Sequence, residues 1–129
     1  MSSRGELVLI VDDNEKNLRL ARDVLRFAGL QTLEASSAAD GIRLAAVHIP
    51  DVILMDVRLP DMDGPAALVE LRGEPRTAGI PVVAVTSSAM MGDRERLLSA
   101  GFDGYLEKPI SVKEFADQVR AYIRPAERD

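Results

Sequence analysis

Short apolar runs punctuate the chain, and longer amphipathic stretches separate them. Residues 7–11, 32–35, 52–55, 82–85 and 105–106 are the predicted strands. The first, third and fourth are near-continuous Val, Ile and Leu runs, as expected of strands covered on both faces. These three belong at the centre of a sheet and the second at an edge. Between the first two strands, Leu18, Ala21, Leu25 and Ala28 recur at helical spacing, with Gly29 as a stop signal. Ser37 is placed to cap a second helix that carries Ile42, Ala45 and Ala46 and ends before Pro50. Gly64 and Pro65 open a third helix, and a fourth is predicted from about Gly92 to Ala100, stopped by Gly101. Ser111 and Glu114 form a capping box ahead of Val112, Phe115, Val119, Tyr122 and Ile123, which predicts a fifth. Residues 2–5 and 125–129 read as frayed ends.

Strand and helix thus alternate through five units. This implies an α/β protein with a mostly parallel sheet, right-handed crossovers and helices on both faces. The expected fold is the flavodoxin-like doubly wound sheet of five strands in the order 2-1-3-4-5, with five helices. The 129 residues predict one domain, with a folded core over about 6–123.

Composition narrows the function. Sixteen Lys and Arg against 21 Asp and Glu give a net charge of −5, which disfavours a direct nucleic-acid partner. With no cysteine, no disulfide, thiolate metal site or cysteine nucleophile is available, and His48 alone cannot build a multi-histidine site. No apolar stretch approaches the roughly 18 residues of a membrane span, and the first residues are no signal peptide. A cytoplasmic location without membrane association is the resulting expectation.

The candidate chemistry lies just past the strands. Asp12 and Asp13 follow the first strand, Asp56 closes the third, Thr86 closes the fourth and Lys108 lies beyond the fifth. Parallel strands send all these ends to one edge, where doubly wound folds keep their ligand crevice. Clustered carboxylates repel one another and either raise a pKa or recruit a cation. With oxygen ligands only, that cation is Mg²⁺, or Mn²⁺ as an alternative. Lys108 and the Thr86 hydroxyl suit phosphoryl oxygens. No glycine-rich phosphate loop is present, so a nucleotide substrate is not expected. Asp56, at the end of a central strand, is the candidate to accept a phosphoryl group itself.

Asp12-Asp13, Met55-Asp56, Leu59-Pro60-Asp61-Met62-Asp63-Gly64, Val85-Thr86-Ser87 and Lys108-Pro109 together resemble the receiver domain of bacterial two-component response regulators. The likeness covers roughly residues 7–123. It implies that Asp56 takes a phosphoryl group from a phosphohistidine on a sensor histidine kinase or histidine phosphotransferase. It implies that Asp13, Asp56 and the backbone carbonyl of Arg58 ligate Mg²⁺, with Asp12 acting through water. It assigns Lys108 to a phosphoryl oxygen, expects a cis bond to Pro109, and makes Thr86 and Tyr105 the switch pair that alters the face formed by helix four, strand five and helix five, where a downstream protein effector would bind. The protein would then be a stoichiometric phosphoacceptor and not a turnover enzyme. Residues 91–93 and 108–111 look more narrowly like single-domain receivers that govern cell division and polarity. Few residues follow Ile123, so the expected output is binding to another protein, without a fused output domain.

Blander readings compete. Asp12 or Asp13 could cap helix one, and Lys16, Arg19, Arg22 and Arg26 could be a solvated face or a meeting place for the phosphodonor. Arg58 could pair with the acidic cluster when no metal is bound. Ser88 occupies a variable position two past Thr86, and Met90 and Met91 suit either core filling or an adaptable partner surface. His48 reads as an exposed helix-end residue. An aspartyl-phosphate phosphatase would want an Asp where Arg58 stands and a cap insertion over its substrate. A flavin carrier would want a phosphate loop and more aromatic residues than this Trp-free chain offers.

Overall fold

The computed structural model describes residues 6–87 and 93–123. The expectations for Ser88, Met90, Met91, Gly92 and the two chain ends lie outside them. Strands β1 (Leu7–Val11), β2 (Gln31–Ala35), β3 (Val52–Asp56), β4 (Val82–Thr86) and β5 (Gly104–Glu107) alternate with helices α1 (Glu15–Phe27), α2 (Ala38–His48), α3 (Gly64–Gly73), α4 (Asp93–Ser99) and α5 (Phe115–Tyr122). All strand pairs are parallel and the order is β2-β1-β3-β4-β5, as the alternation predicts.

Side-chain alternation along each strand divides the core into two layers. Leu9, Val11, Ile53, Met55, Val82 and Ala84 face α2, α3 and α4, meeting Ala45, Leu68 and Phe102 among others. Val8, Ile10, Val52, Leu54, Val83 and Val85 face α1 and α5, meeting Leu25, Phe115 and Val119. Every residue of β3 and β4 is buried, which explains their unbroken apolar runs.

Local signals terminate the helices much as expected. Gly29 (φ 97°) and Gly101 (φ 114°) take left-handed conformations after α1 and α4. The Ser37 side chain accepts from the Asp40 N–H at the start of α2. At the other end of α2, Ile49 adopts φ 46° just before Pro50, a conformation unusual for a β-branched residue. Asn14, and neither Asp12 nor Asp13, caps α1, accepting from the Asn17 N–H. Asp63 caps α3, which opens with Gly64 and Pro65 as expected. Ser111 Oγ accepts from the Glu114 N–H, yet residues 112–114 form a turn and the α-helix starts only at Phe115, leaving Val112 64% exposed.

Candidate functional site

Register brings the strand ends together. Val11 pairs with Met55, Asp56 with Val85 and Thr86 with Glu107. The next residues along β1 and β5, Asp12 and Lys108, therefore stand at the same rim as Asp56 and Thr86. Alternation decides which of them meet. Ile10, Leu54 and Leu106 belong to the layer beneath α1 and α5, and Asp12, Asp56 and Lys108 continue that parity beyond the apolar core. Ala84 and Tyr105 lie on the α4 side, which Thr86 shares by parity.

The Lys108 ammonium lies 2.9 Å from Asp12 Oδ2 and 3.2 Å from Asp56 Oδ2. Each carboxylate also accepts a backbone N–H through its other oxygen: Asp12 Oδ1 from Asn14 at 2.9 Å, and Asp56 Oδ1 from Arg58 at 3.2 Å. Asp12, Asp56 and Thr86 are buried, only 5%, 8% and 8% exposed, whereas Asp13 is exposed. The Thr86 carbonyl accepts from the Lys108 N–H at 2.8 Å, so β4 and the segment carrying the lysine are directly linked. The Lys108–Pro109 bond is cis.

Burial raises the Asp56 pKa above 3.8, against the pull of the Arg58 N–H and the Lys108 charge, and the nearby Asp12 raises it further. For Lys108, burial acts to lower the pKa, but the hydrogen bonds and charges of Asp12 and Asp56 outweigh it and the net shift is upward. The lysine therefore stays an ammonium, and the Asp56 carboxyl is held in a partly desolvated place that disfavours its charged form.

Asp12, Asp13 and Asp56 each offer a carboxylate oxygen, all within 4.8 Å of one another. Three carboxylates against the single Lys108 ammonium leave two negative charges when all are ionised. An all-oxygen donor set of this size and charge fits a hard divalent cation.

Arg58 contacts the cluster through its backbone N–H. The suggestion that its guanidinium neutralises the carboxylates is corrected: Lys108 does so, and among the described residues the exposed Arg58 side chain makes no ion pair. Tyr105 is half-buried outside the carboxylate group, with the Arg94 guanidinium 5.8 Å from its ring centre. His48 is exposed at the end of α2. In the basic stripe of α1, Lys16, Arg19 and Arg26 are exposed, Arg26 Nε donates to Thr32 Oγ1 at 2.8 Å, and Arg22 pairs with Asp23 and Glu34. Two features escaped the sequence reading. An apolar recess lined by Asn17, Leu20, Ile110 and Phe115 opens beside Asp12 and Lys108. Asp61 accepts two N–H groups from the start of α2. The first left a trace in the sequence, as Leu20 stands off the buried face of α1, and Asp61 stands in the quoted motif of residues 59–64, which gives no sign of its partners. No described helix is long and apolar enough to cross a membrane.

The family profile of the response regulator receiver domain matches residues 8–120. The polar-differentiation response regulator DivK of Brucella ovis is 40% identical over 119 residues, spanning 92% of this chain and 97% of that protein. Among solved structures, the receiver domain of the sensor histidine kinase PA1611 from Pseudomonas aeruginosa, which has magnesium coordinated in its active-site cleft, is 34% identical. It superposes with a TM-score of 0.83 over 92% of this chain and 97% of its own. The chemotaxis response regulator CheY4 of Vibrio cholerae shares the fold, with a TM-score of 0.86 at 22% identity over 92% of this chain and 99% of its own. With the profile spanning nearly every element from β1 to α5, this chain belongs to the response regulator receiver domain family of two-component signalling.

Proposed function

We propose that the protein is a phosphoacceptor switch that takes a phosphoryl group onto Asp56 from a phosphohistidine of a sensor histidine kinase or histidine phosphotransferase. The observation that carries this reading is the buried Asp56 carboxylate at the end of a central strand, joined through Lys108 to Asp12. An Asp56 oxygen attacks phosphorus, the phosphorus–nitrogen bond breaks and the departing imidazole nitrogen takes up a proton. Lys108 and the Thr86 hydroxyl receive the phosphoryl oxygens. Asp13, Asp56 and the Arg58 carbonyl would hold Mg²⁺, with Asp12 acting through water, and Mn²⁺ would suit the same oxygens; the ion would supply neutralising charge for phosphoryl transfer. The cation-bearing cleft of the PA1611 receiver supports that assignment.

Thr86 and Tyr105 connect the site to the surface formed by α4, β5 and α5. Thr86 is the strand partner of Glu107, and Tyr105 lies between Ala84 and the α4 residue Arg94. Movement of Thr86 toward the phosphoryl group frees space for Tyr105 and changes what this face offers a protein effector. The chain works as one receiver domain in the cytoplasm, with no nucleic-acid or membrane partner, and is consumed and regenerated stoichiometrically. Its 40% identity to the polar-differentiation response regulator DivK supports a role in response regulation.

The test is incubation with acetyl phosphate and Mg²⁺ followed by intact mass measurement. Wild type is expected to gain a single acid-stable, base-labile phosphoryl group, and Asp56→Asn none. Multiple-turnover release of phosphate from many small esters would support a phosphatase instead.

A further inference from the structure

Residues 57–64 carry the Arg58 carbonyl assigned above to Mg²⁺, so what holds this loop bears on the metal site. Several of its ties are internal: the Gly64 N–H donates to the Val57 carbonyl at 2.7 Å, Arg58 bridges to Asp63, and Asp63 caps its own helix α3. These fix the loop's shape. The Arg58 N–H donates to Asp56 Oδ1 of β3 at 3.2 Å; among the described residues, the other side-chain hydrogen bonds that join residues 58–62 to another element are those of Asp61. Its Oδ1 accepts from the Ala38 N–H and its Oδ2 from the Ala39 N–H, both at 2.9 Å, across more than twenty residues of sequence. A carboxylate shared between two N–H groups at a helix start is charge-assisted and directional. Ser37 Oγ takes the next N–H, that of Asp40. Just before α2, the Ala35 carbonyl accepts from the Asp12 N–H at 3.0 Å. A path of hydrogen bonds and short covalent links therefore runs from Asp12 through the end of β2 and the start of α2 to Asp61 and the Arg58 loop.

We propose that Asp61 is a positioning residue for the metal site: by gripping the start of α2 it fixes the Arg58 loop relative to Asp12 and Asp13. The inference rests on the Mg²⁺ assignment above. Wild type, Asp61→Ala, Asp61→Asn and Ser37→Ala separate positioning from helix capping, through Mg²⁺ binding by calorimetry and metal-free amide hydrogen exchange at Arg58, Asp63 and Gly64. Asp61→Ala is expected to weaken Mg²⁺ binding roughly tenfold, the low end for loss of a group that orients a metal ligand, and to accelerate exchange in the loop. Asp61→Asn, which keeps one acceptor oxygen, recovers part of both and remains informative if the alanine variant does not fold. Ser37→Ala, which removes a cap of the same helix, is expected to lower Tm while leaving Mg²⁺ binding and loop exchange unchanged. Unchanged binding and exchange in both Asp61 variants, or an equal loss in Ser37→Ala, overturns the inference alone. Failure of wild type to bind Mg²⁺ overturns the phosphoacceptor reading and this inference with it.

Discussion

Asp56 and Lys108 show how two side chains can be held in a state of readiness. Burial raises the Asp56 pKa, so the folded protein binds that proton more tightly than the unfolded chain does. Stability therefore falls as pH rises from 3.8 through the higher folded value, and the deficit is fully present above it. In the absence of metal, Asp56→Asn is expected to melt at a higher temperature than wild type near neutral pH, with the gap closing as pH falls below 3.8. Circular dichroism melts in EDTA check this, and a neutral-pH Tm for the variant at or below that of wild type contradicts it. Lys108 bridges Asp12 and Asp56, and would compete for the same oxygens with a divalent cation bound there. Lys108→Ala is therefore expected to slow phosphoryl uptake from acetyl phosphate by roughly a hundredfold, as loss of one transition-state donor does, while Mg²⁺ binding measured by calorimetry does not weaken.

At the scale of elements, α5 and β5 are in close contact. A Cβ on Gly104 would collide with the ring of Tyr122, so Gly104→Ala must displace that aromatic residue. The expected loss is about 1–3 kcal/mol, the usual result of overpacking, read from urea unfolding. The same region shows where sequence reasoning reaches and where it stops. Continuous apolar runs made β1, β3 and β4 legible because strands buried on both faces cannot tolerate polar positions. The start of α5 was less legible. Ser111 caps as expected, but Val112 sits in a turn with its side chain in solvent, and apolar spacing cannot tell whether a partner surface exists for a given residue. Asn14 displaced Asp12 as the cap of α1 because Asp12 is already engaged by Lys108 and the Asn14 N–H. Asp61 stands in the quoted motif of residues 59–64, but its partners could not be found from spacing, since they lie 22 and 23 residues away and depend on the path of a loop.

Across the whole molecule, the site follows from topology more than from any one segment. Parallel strands aligned at their carboxyl ends deliver Asp12, Asp56 and Lys108 to one rim from positions nearly a hundred residues apart. The shared alternation of β1, β3 and β5 turns all three toward the α1 and α5 side, while Tyr105 remains on the α4 side. The two sides are connected through the paired strands β4 and β5. Phosphoryl transfer to the Asp56 carboxylate, among the acidic side chains of this rim, is tested by borohydride reduction after treatment with acetyl phosphate and Mg²⁺, which converts an aspartyl phosphate to homoserine, followed by peptide mapping. Homoserine is expected at position 56 alone; homoserine at position 12 or 13, with Asp56 intact, would overturn the assignment.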